Sequence, residues 1–270
     1  MSVTIVLLDE PRLPRPEAVV AAYREIAPSG PALFADLTPD QDTVTVTFRI
    51  ANGDSVVIGL MSVPVPDGEA ERNAEYSLSA IGKGWTLPQH RAHVVVVPVA
   101  KEKPPLGRLS AFTRRVLLNE KPRPPLDRLI TFTRVVAAIV SASEAVGVYV
   151  GAAHATHDAG FFVDIASSEE ALPAMLMVWN GVSVAKDGDR ISLLSLGMSQ
   201  LELPNLLLTA PMTDVNDALA SMFDFLAYVT SRDAPLPAGD TIGRTADERI
   251  KVRYQPSPVG DGTDVWCVDL

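Results

Sequence analysis

The sequence predicts an α+β protein of two tandem lobes, each in the order βαββαβ with mainly antiparallel sheets, joined by a helical hairpin. Three observations predict it: short runs that alternate apolar and polar residues, hairpin dipeptides at Asn52-Gly53 and Asp187-Gly188, and a phrase that occurs twice near the middle of the chain. Residues 3–8 open the first lobe as a strand. Residues 16–26 follow as a helix, with Pro16 at its start and Val19, Val20, Tyr23 and Ile26 on one face. Residues 43–50 alternate threonines with apolar side chains, Asn52-Gly53 turns the chain, and residues 55–63 return. A polar helical stretch over 68–80 leads to a β-branched run over 92–99, expected to be a strand covered on both faces. This order is that of a ferredoxin-like unit, and it defines a first lobe over residues 1–100.

The doubled phrase is Pro104-Pro-Leu-Gly-Arg-Leu-Ser-Ala-Phe-Thr-Arg-Arg-Val116 and Pro124-Pro-Leu-Asp-Arg-Leu-Ile-Thr-Phe-Thr-Arg-Val-Val136, identical at nine of thirteen positions. In each copy a proline pair precedes leucine, phenylalanine and valine at helical spacing, so each reads as the start of a helix with Phe112 or Phe132 buried. Two copies are too few for a repeat array; they define a hairpin over 101–145.

The second lobe, residues 146–270, repeats the pattern. A short buried strand over 146–150 ends at Gly151, and a helix opens near 167–174 with Ser168 as its N-cap. Runs over 175–184 and 191–196 flank the Asp187-Gly188 turn. The run 201–208 contains Pro204 and reads as an edge or bent strand. An amphipathic helix over 215–229 and a last strand over 264–270 complete the lobe.

Charge is unevenly placed. Residues 101–134 carry nine Lys or Arg against three acids, while the whole chain has a net charge of −10, so the remainder stands at −16. An acidic body argues against nucleic acid or an anionic membrane as partner, because phosphate contacts need a basic surface. The basic stretch offers Arg108, Arg114, Arg115, Arg128 and Arg134 as interaction residues, set against the plainer reading of a solvated helix face. With 47% hydrophobic and 21% charged residues the chain can bury a full core. Its single cysteine, Cys267, alternates in a strand and reads as a small packing residue in a reducing compartment. The apolar start is too short for a signal peptide and no run is long enough for a transmembrane helix, so a soluble cytoplasmic protein is expected.

Chemistry is sparse. His154, His157 and Asp158 follow the buried strand in a loop, where α/β folds often place function, and could contribute two imidazoles and a carboxylate to one site. The competing reading is a hydrogen-bonded loop pair, since two histidines do not make a metal centre. There is no Gly-x-Ser-x-Gly elbow and no phosphate loop in strand–turn–helix context, so no enzyme class, metal or cofactor is assigned.

The tail adds a resemblance. Gly197-Met198, Glu202-Leu203-Pro204 and Gly239-Asp-Thr241, followed by a final Val265-Trp-Cys-Val-Asp-Leu270, resemble the bacterial domain-of-unknown-function family numbered 4261. Upstream, Ala92-His93 and Gly147-Val-Tyr-Val-Gly151 extend the likeness to roughly residue 92, with the doubled phrase standing where one helix is expected. The resemblance implies no established reaction or cofactor. Its neighbourhood with secreted-toxin systems suggests a non-enzymatic interaction role, immunity-like or adaptor, with another protein such as a toxin or secretion-system component. The alternative is a small-molecule or metal-dependent enzyme using the inter-lobe cleft near His154 and His157.

Overall fold

The computed structural model describes residues 3–36, 45–100, 125–169, 171–232, 234–243, 245 and 247–270. The first copy of the doubled phrase, with Phe112, Arg108, Arg114 and Arg115, lies outside the described residues. The described chain is α+β with mainly antiparallel sheets, as its alternation implies.

The first sheet starts at β1 (Thr4–Leu8) and crosses by α1 (Pro16–Ile26) to β2 (Leu33–Asp36), β3 (Thr45–Ile50) and β4 (Ser55–Met61). The β3–β4 turn forms because Gly53 adopts φ +93° and the Asn52 side chain accepts from the Asp54 amide at 2.8 Å. Asn52 itself keeps negative φ, so the hairpin uses a longer loop with one left-handed glycine rather than the two-residue turn the dipeptide favours. The polar stretch before β5 (Ala92–Val99) is not one helix. It breaks into α2 (Glu69–Arg72), α3 (Leu78–Lys83) and two short 3₁₀ turns, because Asp67 and Gly68 are left-handed and Ser77 caps a new helix by accepting from Ala80 N at 3.2 Å.

The central helix α4 (Pro125–Ser141) carries the second copy of the phrase, with Phe132 buried as its spacing requires. It leads into β6 (Ala145–Val150) and β7 (Ala155–Asp158), then α5 (Ala159–Ala166) and α6 (Ala171–Trp179). The tandem ferredoxin-like arrangement is not found. One seven-stranded antiparallel sheet runs β2-β3-β4-β5-β1-β6-β7, so β6 and β7, although they follow the expected boundary at 146, belong to the first sheet. The reason lies in β1, whose Val6 and Leu8 face the main core while Leu7 faces a second cluster with Val65, Ala70 and Tyr149. β1 is covered on both faces, and its two backbone edges are paired by β5 and β6.

The second sheet contains β8 (Gly181–Asp187), β9 (Arg190–Leu196), β10 (Leu206–Pro211), β13 (Arg253–Pro256) and β14 (Asp264–Asp269), in the order β13-β14-β10-β9-β8. The β8–β9 turn places Gly188 first at φ +62°. The sequence pattern misplaced two elements here. Residues 175–179 are helical, in α6, and β10 is an interior strand because it begins after Pro204, pairing with β9 on one side and parallel to β14 on the other. Helix α7 (Val215–Arg232) packs on β10 and β9, and β11 (Thr241–Ile242) with β12 (Ile250–Lys251) forms a small separate ribbon. Apolar residues of both sheets and of the helices between them join in one contiguous core, from Val6 through Phe132 and Trp179 to Val268. No helix among the described residues is long and apolar enough to cross a membrane.

Candidate functional site

Where the two sheets meet, their backbones touch. The chain leaves β6 through a 3₁₀ turn, Gly151–Ala153, and the second sheet abuts it with two glycines. A Cβ on Gly181 would overlap the Ala153 carbonyl oxygen. One on Gly197 would overlap the Trp179 carbonyl, and Gly197 also holds φ +133°, which L side chains rarely adopt.

Beside this contact lies a cleft of about 680 Å³. One wall is the 3₁₀ turn Met198–Leu201 and the following loop. The Asn205 side-chain oxygen organises it by accepting from Gly197 N (3.2 Å) and Met198 N (3.1 Å), while the Gln200 amide donates to the carbonyls of Trp179 (3.1 Å) and Gly197 (3.3 Å). Leu196, Leu203 and Pro204 give this wall an apolar surface. Asn73 and Tyr76 also line the cleft, held against β7 because Thr156 N donates to the Asn73 carbonyl at 3.0 Å and Thr156 Oγ1 to the Ala70 carbonyl at 2.6 Å. The rim is the β13–β14 loop with exposed Val259 and with Asp261, Thr263 and Asp264. Asp261 Oδ1 accepts from Thr263 N (3.0 Å) and Thr263 Oγ1 (2.8 Å), and these bonds hold its carboxyl below the usual range. Burial and the neighbouring Glu75 push the Tyr76 phenol up. Among the described lining residues the ionisable groups are Asp261, Asp264, His154 and Tyr76, with no Lys or Arg.

The structure separates the three residues expected to share a site. His154 is exposed, takes a left-handed φ of +47°, and lines the cleft. His157 is not in a loop but on β7, turned into the core between Phe161 and Phe162, with ring centroids at 6.3 and 6.4 Å. Neither of its nitrogens has a hydrogen-bond partner, and burial pushes its pKa down to about 4 against an opposing influence of the Val178 backbone. Asp158 is the N-cap of α5, its Oδ1 accepting from Phe161 N at 2.8 Å. No three His, Cys, Asp or Glu side chains among the described residues come together as a metal-binding group.

The other two histidines tie down the segment between β4 and β5. Val65 N donates to His90 Nε2 at 3.0 Å, and His93 Nδ1 donates to the Val63 carbonyl at 2.8 Å. Burial lowers the His90 pKa, opposed by Glu71, whose Oε1 lies 3.3 Å from Nδ1, while His93 lowers it further. The Tyr149 hydroxyl adds a bond to Glu69 Oε1 at 2.6 Å, so this segment and the cleft wall that follows it are anchored to the sheet.

The basic stretch does not present its described arginines as an open stripe. Arg128 Nε lies 3.3 Å from Asp54 Oδ2, both side chains being largely buried, and Arg134 Nε donates to the Ala166 carbonyl at 3.4 Å.

Sequence reasoning missed Asn205, Tyr76 and Asp261 as lining residues, and Gln200 as the brace behind them. Their signals were present: Gly197 and Pro204 bracket the wall, and Asp261 stands between Gly260 and Gly262, a turn signature.

Residues 194–269 match the model of a family described as a domain of unknown function, DUF4261. The match includes Gly197-Met198, Glu202-Leu203-Pro204 and Gly239-Asp-Thr241, and ten of the fifteen described cleft-lining residues fall inside it. No curated protein and no solved structure matches the chain.

Proposed function

We propose that this is a non-enzymatic interaction protein, of immunity-like or adaptor type, that meets a basic protein partner in the cytoplasm. The observation that carries this reading is the internal use of Arg128 and Arg134, one by a carboxylate and one by a backbone carbonyl. Over the whole chain acid dominates, with 33 Asp or Glu against 23 Lys or Arg and a net charge of −10. A field of one sign steers oppositely charged proteins and speeds encounter. The rival reading, a small-molecule or metal-dependent enzyme in the cleft, keeps His154 at the wall but has His157 in the core and Asp158 committed to a helix cap.

The test is kinetic. A partner identified by reciprocal pull-down is purified, and its association rate is measured at about 50 and 200 mM salt, between which screening shortens to roughly 8 Å near physiological strength. The rate is expected to fall several-fold. A rate independent of salt refutes charge-steered association.

A further inference from the structure

The geometry points to the cleft between the two sheets as the contact site, taking an extended, basic segment of the partner protein. This rests on the interaction reading above and names the surface and the chemistry it recognises.

Three observations converge. First, the rim carries the carboxylates Asp261 and Asp264, and no described lining residue is Lys or Arg. Second, beside those carboxylates the wall is apolar, from Leu196, Leu203 and Pro204, with Val259 exposed at 54% on the rim loop. Lysine and arginine fit such a surface because their aliphatic stems lie on apolar groups while the charged head reaches the acids. Third, Ser183 of the cleft lies on β8, which ends the five-stranded sheet, and residues 184–187 of that strand are exposed, with Lys186 offset by its neighbour Asp187 at the far end of the edge. An occupant can therefore continue from the cleft along an open strand edge, the usual way an extended polypeptide docks on a sheet. A compact organic cation uses the first two features but not the third.

The probe is a fluorescein-labelled octapeptide alternating arginine and valine, titrated at low salt into the full chain, with its glutamate–valine counterpart and spermidine as comparators. Two double variants are compared with the parent. Asp261→Asn with Asp264→Asn removes the rim charge while keeping an oxygen at 261 for the Thr263 bonds. Asp217→Asn with Asp224→Asn removes the same charge from exposed positions on α7. Circular dichroism and thermal midpoints establish that both fold.

The expected result is a dissociation constant raised at least tenfold in the rim variant and less than twofold in the α7 variant, with no binding of the glutamate peptide. Equal weakening in both variants overturns the cleft while leaving the acidic-surface reading intact. Spermidine binding as tightly as the peptide overturns the polypeptide assignment. No binding of the arginine peptide by the parent overturns the charge-based reading itself.

Discussion

Replacing His157 with leucine tests how the core treats a buried imidazole. The ring is fully buried, flanked by two phenylalanines, and has no hydrogen-bond partner at either nitrogen. Its folded pKa of about 4 lies below the ~6.5 of an exposed histidine. As pH falls, the unfolded chain therefore takes up the proton first. Stability from this residue is complete above pH ~6.5 and declines until pH ~4, by about 3 kcal/mol in all and about 2 kcal/mol by pH 5. Leucine cannot titrate and leaves no polar atom unpaired, so His157→Leu should also gain on the order of 1 kcal/mol at pH 7. Urea denaturation of both proteins at pH 7, 6 and 5 reads the difference directly. The stability gap between variant and parent should widen by about 2 kcal/mol from pH 7 to pH 5. Because His90 and the carboxylates titrate in both proteins, only this difference matters. Parallel loss of stability in the two would refute a buried neutral imidazole at this position.

Three further outcomes are expected. Phe132→Ala should cost about 3–5 kcal/mol in chemical denaturation, since the ring is buried in the main core. Gly197→Ala should cost at least about 3 kcal/mol, from its positive φ and the overlap with the Trp179 carbonyl, and should lower the thermal midpoint far more than Gly188→Ala, where a Cβ meets open space. Asn205→Ala strips the cap from the Gly197 and Met198 amides and should cost about 1–2 kcal/mol, with faster hydrogen exchange at those two amides as its local signature.

How much was legible from sequence follows from how far each signal reaches. Residues 16–26 declare a helix because a proline start and an i, i+3, i+4, i+7 stripe are complete within three turns. The β3–β4 and β8–β9 turns declare themselves because glycine supplies the left-handed φ on the spot. Phe132 and Cys267 were readable as buried because each stands in a short run dense in apolar residues, although the structure buries α4 and β14 on more than one face. In the candidate site, the glycines and prolines of the matched segment were visible, but not the wall they build.

Pairing at long range was decided elsewhere. β1 lies between β5 and β6 because an inner strand needs partners on both edges, and those partners come from distant parts of the chain. No local pattern specifies which strands they are. Likewise His154, His157 and Asp158 are adjacent in sequence, yet the left-handed turn at His154 and the alternation of β7 send one into the cleft, one into the core and one to a helix end. Local pattern was enough for α1, β1, β5, α7, β14, the two glycine turns and the acidic excess. Only the folded chain brings Arg128 to Asp54, and Asp261 and Tyr76 into the lining of one cleft, because those positions converge only once two sheets close on a shared core.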